Sequence, residues 1–261
     1  MKSEELWNKV GYFSIAYLKD FASKIKELFI EKNYKIDLIV GGGNTGASMT
    51  RLTQIILKDL KINIPSLALP IYRYTPTKKN NKPYEGGYKD KFDNSILLDD
   101  VKKKLRGISF NNVIFVDDEI GEGNTAKMTL DLLIKASEKP IKNYFLVAED
   151  QDFLKINNWV NKYSKINIKI FPYRKGIKNL FNIITYNVPY NYNVKIKNII
   201  PVNELSETAY MNVLLGEPVK EFINGMPKFT YKYEEILNKK IKGFKKMQKD
   251  YLEYLKIILN M

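Results

Sequence analysis

Two segments of the chain share the pattern that most restricts its fold: a short apolar run, a glycine turn, and then apolar residues at helical spacing. The first runs from Ile36 to Val40, continues as GGGNTG and leads into Leu52, Ile55, Ile56 and Leu60. The second runs from Val113 to Val116, continues as DDEIGEGNT and leads into Ala126, Leu130, Leu133 and Ile134. Each segment predicts a strand, a tight turn and a helix.

Further strands are expected at Ser66–Tyr72, Tyr144–Val147 and Ile166–Phe171, with a helix near Phe153–Tyr163. Strands that alternate with helices require right-handed crossovers and favour a parallel sheet. We therefore expect a doubly wound α/β fold with a mostly parallel sheet of about five strands and flanking helices.

The two ends of the chain are predicted to be helical. Near the start, apolar residues recur at steps of three and four and predict one amphipathic helix or a broken pair: Leu6, Val10, Phe13, Tyr17, Phe21, Ile25 and Leu28. Beyond Gly176 the pattern becomes irregular, and it ends in a heptad stripe from Leu237 to Ile258. We expect an α/β core with its N-terminal helix over 1–176 and an extension over 177–261 that ends in a long helix. Packing on its own domain is favoured for that helix, with a homodimer contact as the alternative.

Composition removes several classes of chemistry. The chain contains no Cys and no His, which excludes thiolate sites, Ser-His-Asp triads and HExxH metal sites. The net charge of +14 favours phosphate-rich partners. Because only Arg51, Arg73, Arg106 and Arg174 supply guanidinium groups, nucleic acid is a partner that remains open but is not favoured.

No stretch approaches the roughly 18 uninterrupted apolar residues of a spanning helix. The first residues, MKSEELWNKVGYF, lack the apolar core of a signal peptide. We expect a cytoplasmic protein without a membrane segment.

The residues after Val116 have the chemistry of a ribose 5-phosphate site. In a parallel sheet, ligands bind beyond the carboxyl ends of the strands, where Asp117 and Asp118 are expected. A carboxylate there can accept hydrogen bonds from two sugar hydroxyls or hold a hydrated Mg²⁺. The turn Gly121, Glu122, Gly123, Asn124 and Thr125 offers backbone amides and a helix N-terminus to a phosphate.

The segment Val113–Thr125 resembles the signature of the type I phosphoribosyltransferases: apolar residues, two acids, two mostly apolar residues and a small-residue phosphate loop. The resemblance implies an enzyme that transfers ribose 5-phosphate from phosphoribosyl pyrophosphate to a nucleobase with Mg²⁺. Asp117 and Asp118 would hold the ribose and, through water, the metal ion, and the loop 121–125 the 5-phosphate.

The resemblance also assigns roles outside the signature. The pyrophosphate turn would be Gly42, Gly43, Asn44, Thr45 and Gly46, after the first core strand. The flap would be the loop Thr75–Asn94, with its lysines Lys78, Lys79, Lys82 and Lys89. Tyr173 stands where the family often contacts the base.

Three positions depart from the family pattern. Glu119 replaces a residue that is usually apolar, Gly121 an acid of many purine-salvage members, and Glu122 a small hydroxyl residue. A carboxylate about 4 Å from a phosphate charge would cost about 4 kcal/mol at an effective dielectric of 20. Glu122 must therefore turn outward or meet a cation. The departures leave the general base and the acceptor without an assignment.

Two other functions remain open. The chain could be a regulatory protein that binds phosphoribosyl pyrophosphate or a nucleotide without turnover and presents its basic surface to a partner or nucleic acid. It could also be an unrelated nucleotide-binding α/β domain. Binding without turnover favours the former, and failure to bind any phosphorylated ribose favours the latter.

Overall fold

The computed structural model of the protein describes residues 15–71, 94–150, 156–175, 212–223, 226–230 and 232–260. Five parallel strands form its central sheet in the order β2-β1-β3-β4-β5. They are β1 (Leu38–Gly42), β2 (Ser66–Leu69), β3 (Asn112–Ile120), β4 (Asn143–Asp150) and β5 (Asn167–Lys175). The predicted α/β fold with a parallel sheet is confirmed.

Helices cover the sheet. They are α1 (Ile15–Lys26), which continues as a π-helical turn (Glu27–Glu31), α2 (Gly43–Asp59), α3 (Asn94–Leu105), α4 (Asn124–Ala136) and the short α5 (Asn157–Val160). Helix α1 contacts α2 and β5, whereas α3 contacts α4. The helix expected near Phe153–Tyr163 is limited to the four residues of α5, and 151–155 lie outside the described residues.

The sheet order places a topological switch point between β1 and β3. The chain leaves β1 toward β2 on one side and returns to β3 on the other, so the connections diverge beyond the carboxyl ends of these two strands. In open parallel sheets this divergence opens the crevice in which ligands bind. Both glycine turns of the sequence follow the strands that flank it.

The described part of the C-terminal extension ends in helices, as expected, and its heptad stripe is broken. A two-stranded sheet of β6 (Val219–Ile223) and β7 (Met226–Thr230) precedes α6 (Lys232–Lys240) and α7 (Phe244–Asn260). The break falls at 241–243, where Gly243 adopts a left-handed φ of 81°. The apolar stripe faces inward, since Leu237, Phe244 and Leu255 are fully buried, and α7 contacts α1 and α2.

One hydrophobic core joins the sheet, the N-terminal helix and the C-terminal helices. Packing of the stripe on its own chain therefore accounts for the heptad spacing. The boundary at residue 176 stays a prediction. Among the described helices, none combines the length and the apolar character that a bilayer span requires.

The turn after β1 depends on close backbone contact. A methyl group built on Gly41 would lie 2.2 Å from the carbonyl oxygen of Gly46, and one on Gly46 would lie 2.7 Å from the carbonyl carbon of Gly41. Only residues without a side chain allow α2 to start this close to β1.

We predict that Gly41→Ala lowers the free energy of unfolding by about 3 kcal/mol, because overpacking against backbone cannot be relieved by a rotamer change. Gly107→Ala is the matched control. Nothing lies within 4 Å of its added methyl group, and only its φ of 78° is unfavourable, so about 1 kcal/mol is expected. Urea unfolding followed by circular dichroism measures both. Equal losses in the two variants would contradict the close-contact role of Gly41.

Candidate functional site

The acid pair lies at a β-bulge inside β3 rather than beyond the end of the strand. Val116 pairs with Val147 of β4, and the next pair is Glu119 with Glu149, so Asp117 and Asp118 together face one residue of β4. A bulge bends its strand and re-aims side chains, and bulges are frequent beside active sites. The expectation that the pair leaves the strand is thus corrected, because β3 continues to Ile120.

Two tyrosines hold this bulge from the side of α1 and β5. The hydroxyl of Tyr173 donates to the backbone oxygen of Asp118 at 2.6 Å, and that of Tyr17 reaches the same oxygen at 3.0 Å. The two hydroxyls also contact each other, and their rings meet edge to face. Burial raises the pKa of both phenols well above the ordinary value, so both remain protonated donors.

The described contacts of Tyr173 are with the bulge, and they do not test the prediction that this residue contacts a nucleobase. Its side chain is buried, and its hydroxyl is engaged with the backbone of the acid pair. A register shift in the pairing of β4 with β5 also affects the position of Tyr173. Ala148 pairs with Pro172 and Glu149 with Arg174, so Tyr173 lies at an irregularity of β5. A contact with a base stays a prediction, and the described contact is with Asp118.

The carboxyl groups of the pair interact with each other and with the backbone. Asp117 is buried and Asp118 half-buried. Asp117 Oδ1 accepts from the N–H of Asp118 at 3.0 Å, and Asp118 Oδ1 from the N–H of Glu119 at 2.9 Å. Burial raises the pKa of Asp117 well above its ordinary value, and the negative charge of Asp118 raises it further. Burial also raises the pKa of Asp118, against the opposing effect of its hydrogen bonds.

Glu149 on β4 adds a third acid, which was not among the predicted site residues. It is 2 % exposed, and no hydrogen-bond partner of its Oε1 is present in the described structure. Burial raises its pKa to about 7, while Arg174 lowers it and Asp118 raises it. A signal was available, since LVAED repeats the order of VDDE: an apolar strand that ends in acids at the same edge of the sheet.

The turn after β3 leads into the N-terminus of α4. Gly123 is the residue before the helix, with a left-handed φ of 71°. A methyl group there would lie 3.0 Å from Trp159 Nε1, and the indole donates to the carbonyl oxygen of Glu122 at 3.2 Å. In contrast, nothing lies within 4 Å of a methyl group on Gly121. Gly123 is needed for the turn, whereas Gly121 faces open space.

Glu122 turns outward, as the electrostatic argument required. Its side chain is exposed and accepts a hydrogen bond from Asn124 Nδ2 at 3.0 Å. Asn124 and Thr125 belong to the first turn of α4 rather than to a loop. The first N–H groups of a helix have no intrahelical partner, so 124–126 present donors at the helix end.

The second glycine turn lies directly against the first. A methyl group built on Gly42 would lie 2.3 Å from Cγ2 of Thr125. Gly43 follows with a φ of 69° and already starts α2, so Asn44, Thr45 and Gly46 form the first helical turn. The two turns therefore lie in contact. Val40 of β1 pairs with Phe115 of β3, so the acid pair follows this pairing at the same edge of the sheet as the two turns. The loop lysines Lys78, Lys79, Lys82 and Lys89 lie outside the described residues.

The acids form no metal cage on their own. Within the described ranges, no three side chains of Asp, Glu, His or Cys meet as a metal-binding group. A buried carboxylate pair suits a hydrated Mg²⁺ that takes its other ligands from water and a bound phosphate.

No protein-family model matches the chain, and no curated protein matches it. The resemblance to the phosphoribosyltransferase signature therefore depends on the motif itself.

The buried acids predict a dependence of stability on pH. A carboxyl group whose pKa is higher in the folded than in the unfolded chain binds its proton more tightly when folded, so stability is lost as the pH rises. For Glu149 the loss lies between its ordinary value of 4.5 and about 7, and it amounts to about 3 kcal/mol. Asp117 and Asp118 act in the same direction.

We predict that Glu149→Gln reduces the loss of unfolding free energy between pH 4.5 and pH 8, because the amide has no charge to bury. Urea unfolding at both pH values measures the difference. Glu138→Gln, at an exposed position, should follow the wild type. If the pH dependence of Glu149→Gln equalled that of the wild type, the burial of a charge at Glu149 would be refuted.

Proposed function

We propose that this chain is a phosphoribosyltransferase, which moves ribose 5-phosphate from phosphoribosyl pyrophosphate to a nitrogenous base and releases pyrophosphate. One observation carries the proposal: two glycine turns, each at a helix N-terminus, lie in contact at the switch point of the sheet, beside a buried acid pair. A ligand with a diol and two phosphate-bearing ends matches this set of donors and acceptors.

Each part of the ligand has a counterpart in the chain. The N–H groups at the start of α4 would bind the 5-phosphate. Asp117 and Asp118 would accept hydrogen bonds from the ribose hydroxyls, which would supply the donors that buried carboxylates need. The first turn of α2 would bind the pyrophosphate.

The reaction makes few demands on a strong base or nucleophile. The bond between the anomeric carbon and pyrophosphate breaks, and the pyrophosphate leaves with the electron pair. A bond from the base nitrogen to the same carbon forms, and that nitrogen releases its proton to the departing pyrophosphate or to water. The main requirement is to stabilise the negative charge that develops on the leaving pyrophosphate. Oriented N–H groups do this without reorganisation. Bound Mg²⁺, held through water by Asp117 and Asp118, would neutralise part of the pyrophosphate charge.

We predict that Asp117→Asn combined with Asp118→Asn abolishes the release of pyrophosphate in a screen of nucleobases with phosphoribosyl pyrophosphate and Mg²⁺. The unfolding free energy at pH 8 should not fall, because two buried charges are removed. The double variant Asp99→Asn and Asp100→Asn is a matched control, since it changes an adjacent acid pair on α3.

The same screen separates the alternatives. Pyrophosphate release that is unchanged in the Asp117/Asp118 variant would refute the roles of these two residues. Saturable binding of phosphoribosyl pyrophosphate without release in any well would support the regulatory protein. Absence of binding by the folded wild type would refute the whole proposal.

We further predict opposite effects at the two glycines of the turn that follows β3. Gly121→Ala should weaken the binding of ribose 5-phosphate about tenfold, because the methyl group enters the space proposed for the phosphate, and should change stability by less than about 0.5 kcal/mol. Gly123→Ala should lower stability by more than about 1 kcal/mol, because of its left-handed φ and its contact with Trp159. Calorimetric titration and urea unfolding measure the pair. Unchanged affinity in Gly121→Ala would place the phosphate elsewhere.

A further inference from the structure

A buried polar cluster connects the C-terminal extension to the proposed pyrophosphate turn. Ser48 Oγ donates to Asn212 Oδ1 at 2.6 Å, and Asn212 Nδ2 donates to Asn44 Oδ1 at 3.3 Å. Asn44 and Ser48 are four residues apart on α2, so they share one face of the helix. A single amide from a segment 168 positions away thus spans the first turn of α2.

The burial of the cluster argues for a specific role. Ser48 and Asn212 are both 0 % exposed, and Asn44 is 4 % exposed. Burying an amide is unfavourable unless its hydrogen bonds are made, and an apolar residue of similar size would avoid that cost. What the amide provides and an apolar residue cannot is a directional hold on the Asn44 side chain.

Asn212 is itself fixed by its surroundings. Its carbonyl oxygen accepts from the N–H of Glu217 at 2.7 Å, and the next carbonyl, of Val213, accepts from Gln248 Nε2 on α7 at 2.6 Å. The side chains of Val213, Leu214 and Leu215 are buried in the core. The extension therefore presents a rigid amide to α2.

We infer that Asn212 is a positioning residue for the pyrophosphate turn, acting through Asn44 and Ser48. This inference rests on the proposed function. Asn44 is the second residue of α2, in the turn whose N–H groups would bind pyrophosphate. Fixing its side chain fixes the orientation of these donors. The C-terminal extension would then complete the binding site for pyrophosphate, and it would contribute nothing to the turn that binds the 5-phosphate.

The test compares two probes on the full chain, magnesium pyrophosphate and ribose 5-phosphate, by calorimetric titration. Asn212→Ala should weaken pyrophosphate binding about tenfold, the equivalent of one hydrogen bond. Its affinity for ribose 5-phosphate should stay that of the wild type. In turnover, KM for phosphoribosyl pyrophosphate should rise, and KM for the base should not.

Two further variants distinguish the loss of a hydrogen bond from a general loss of folding. Ser48→Ala removes only the hydroxyl that holds Asn212, suits a helix, and should weaken pyrophosphate binding in the same direction by a smaller factor. Leu214→Ala lies in the same buried turn without a described hydrogen bond to α2 and should lower the melting temperature without changing the ratio of the two affinities.

The outcomes distinguish the inference from the proposed function. A wild type that binds neither probe removes both. Suppose that the wild type binds both probes, and that Asn212→Ala and Ser48→Ala either keep its pyrophosphate affinity or lose affinity for both probes equally. The proposed function would then stand, and the positioning role of Asn212 would be overturned. A loss of pyrophosphate affinity in Leu214→Ala that matches Asn212→Ala also overturns it, because general loosening of the extension would then explain the effect.

Discussion

The contact between Gly42 and Thr125 is the constraint on which the candidate site depends. With no side chain at Gly42, the threonine methyl fills the space beside the backbone, and the first turns of α2 and α4 lie next to each other. Each helix N-terminus carries a partial positive charge of about half a unit. Bringing two such ends together is unfavourable unless negative charge lies close to both. The acid pair lies nearby, and the proposed phosphoribosyl pyrophosphate would supply further negative charge.

The acid pair concentrates negative charge, in contrast to the positive helix ends. Asp117, Asp118 and Glu149 are desolvated beside one another, and each has a raised pKa. Charges that repel in the free protein favour a ligand that brings hydroxyl donors or a cation. Hydrogen bonds from neighbouring side chains hold the bulge and the two turns. Tyr17 and Tyr173 bond to the backbone of the bulge, Trp159 to the backbone of Glu122 beside Gly123, and Asn212 to Asn44 at the start of α2. Desolvated acids with raised pKa values that repel one another are frequent at binding and catalytic sites.

Much of the fold could be predicted because it depends on local patterns. The apolar run at Ile36–Val40 predicted β1 within two residues, and the strand ends at Gly42 because the glycines still pair with β2. The bulge at Asp117 and Asp118 could not be predicted, since it arises from the pairing of Glu119 with Glu149 on another strand. The hydrogen bonds of Asn212 could not be predicted from the sequence pattern either, because its partners are 164 and 168 positions away. The broken C-terminal helix had one: Gly243 interrupts the stripe.

The central claim is that one ligand bridges the two helix N-termini across the acid pair. Hydrogen exchange of the full chain, with and without phosphoribosyl pyrophosphate and Mg²⁺, tests it directly. Slower exchange is expected at the amides of 43–46 and of 121–126 together, in the same range of ligand concentration. Unchanged exchange at both turns under saturating ligand, in a protein whose core amides remain protected, would contradict it.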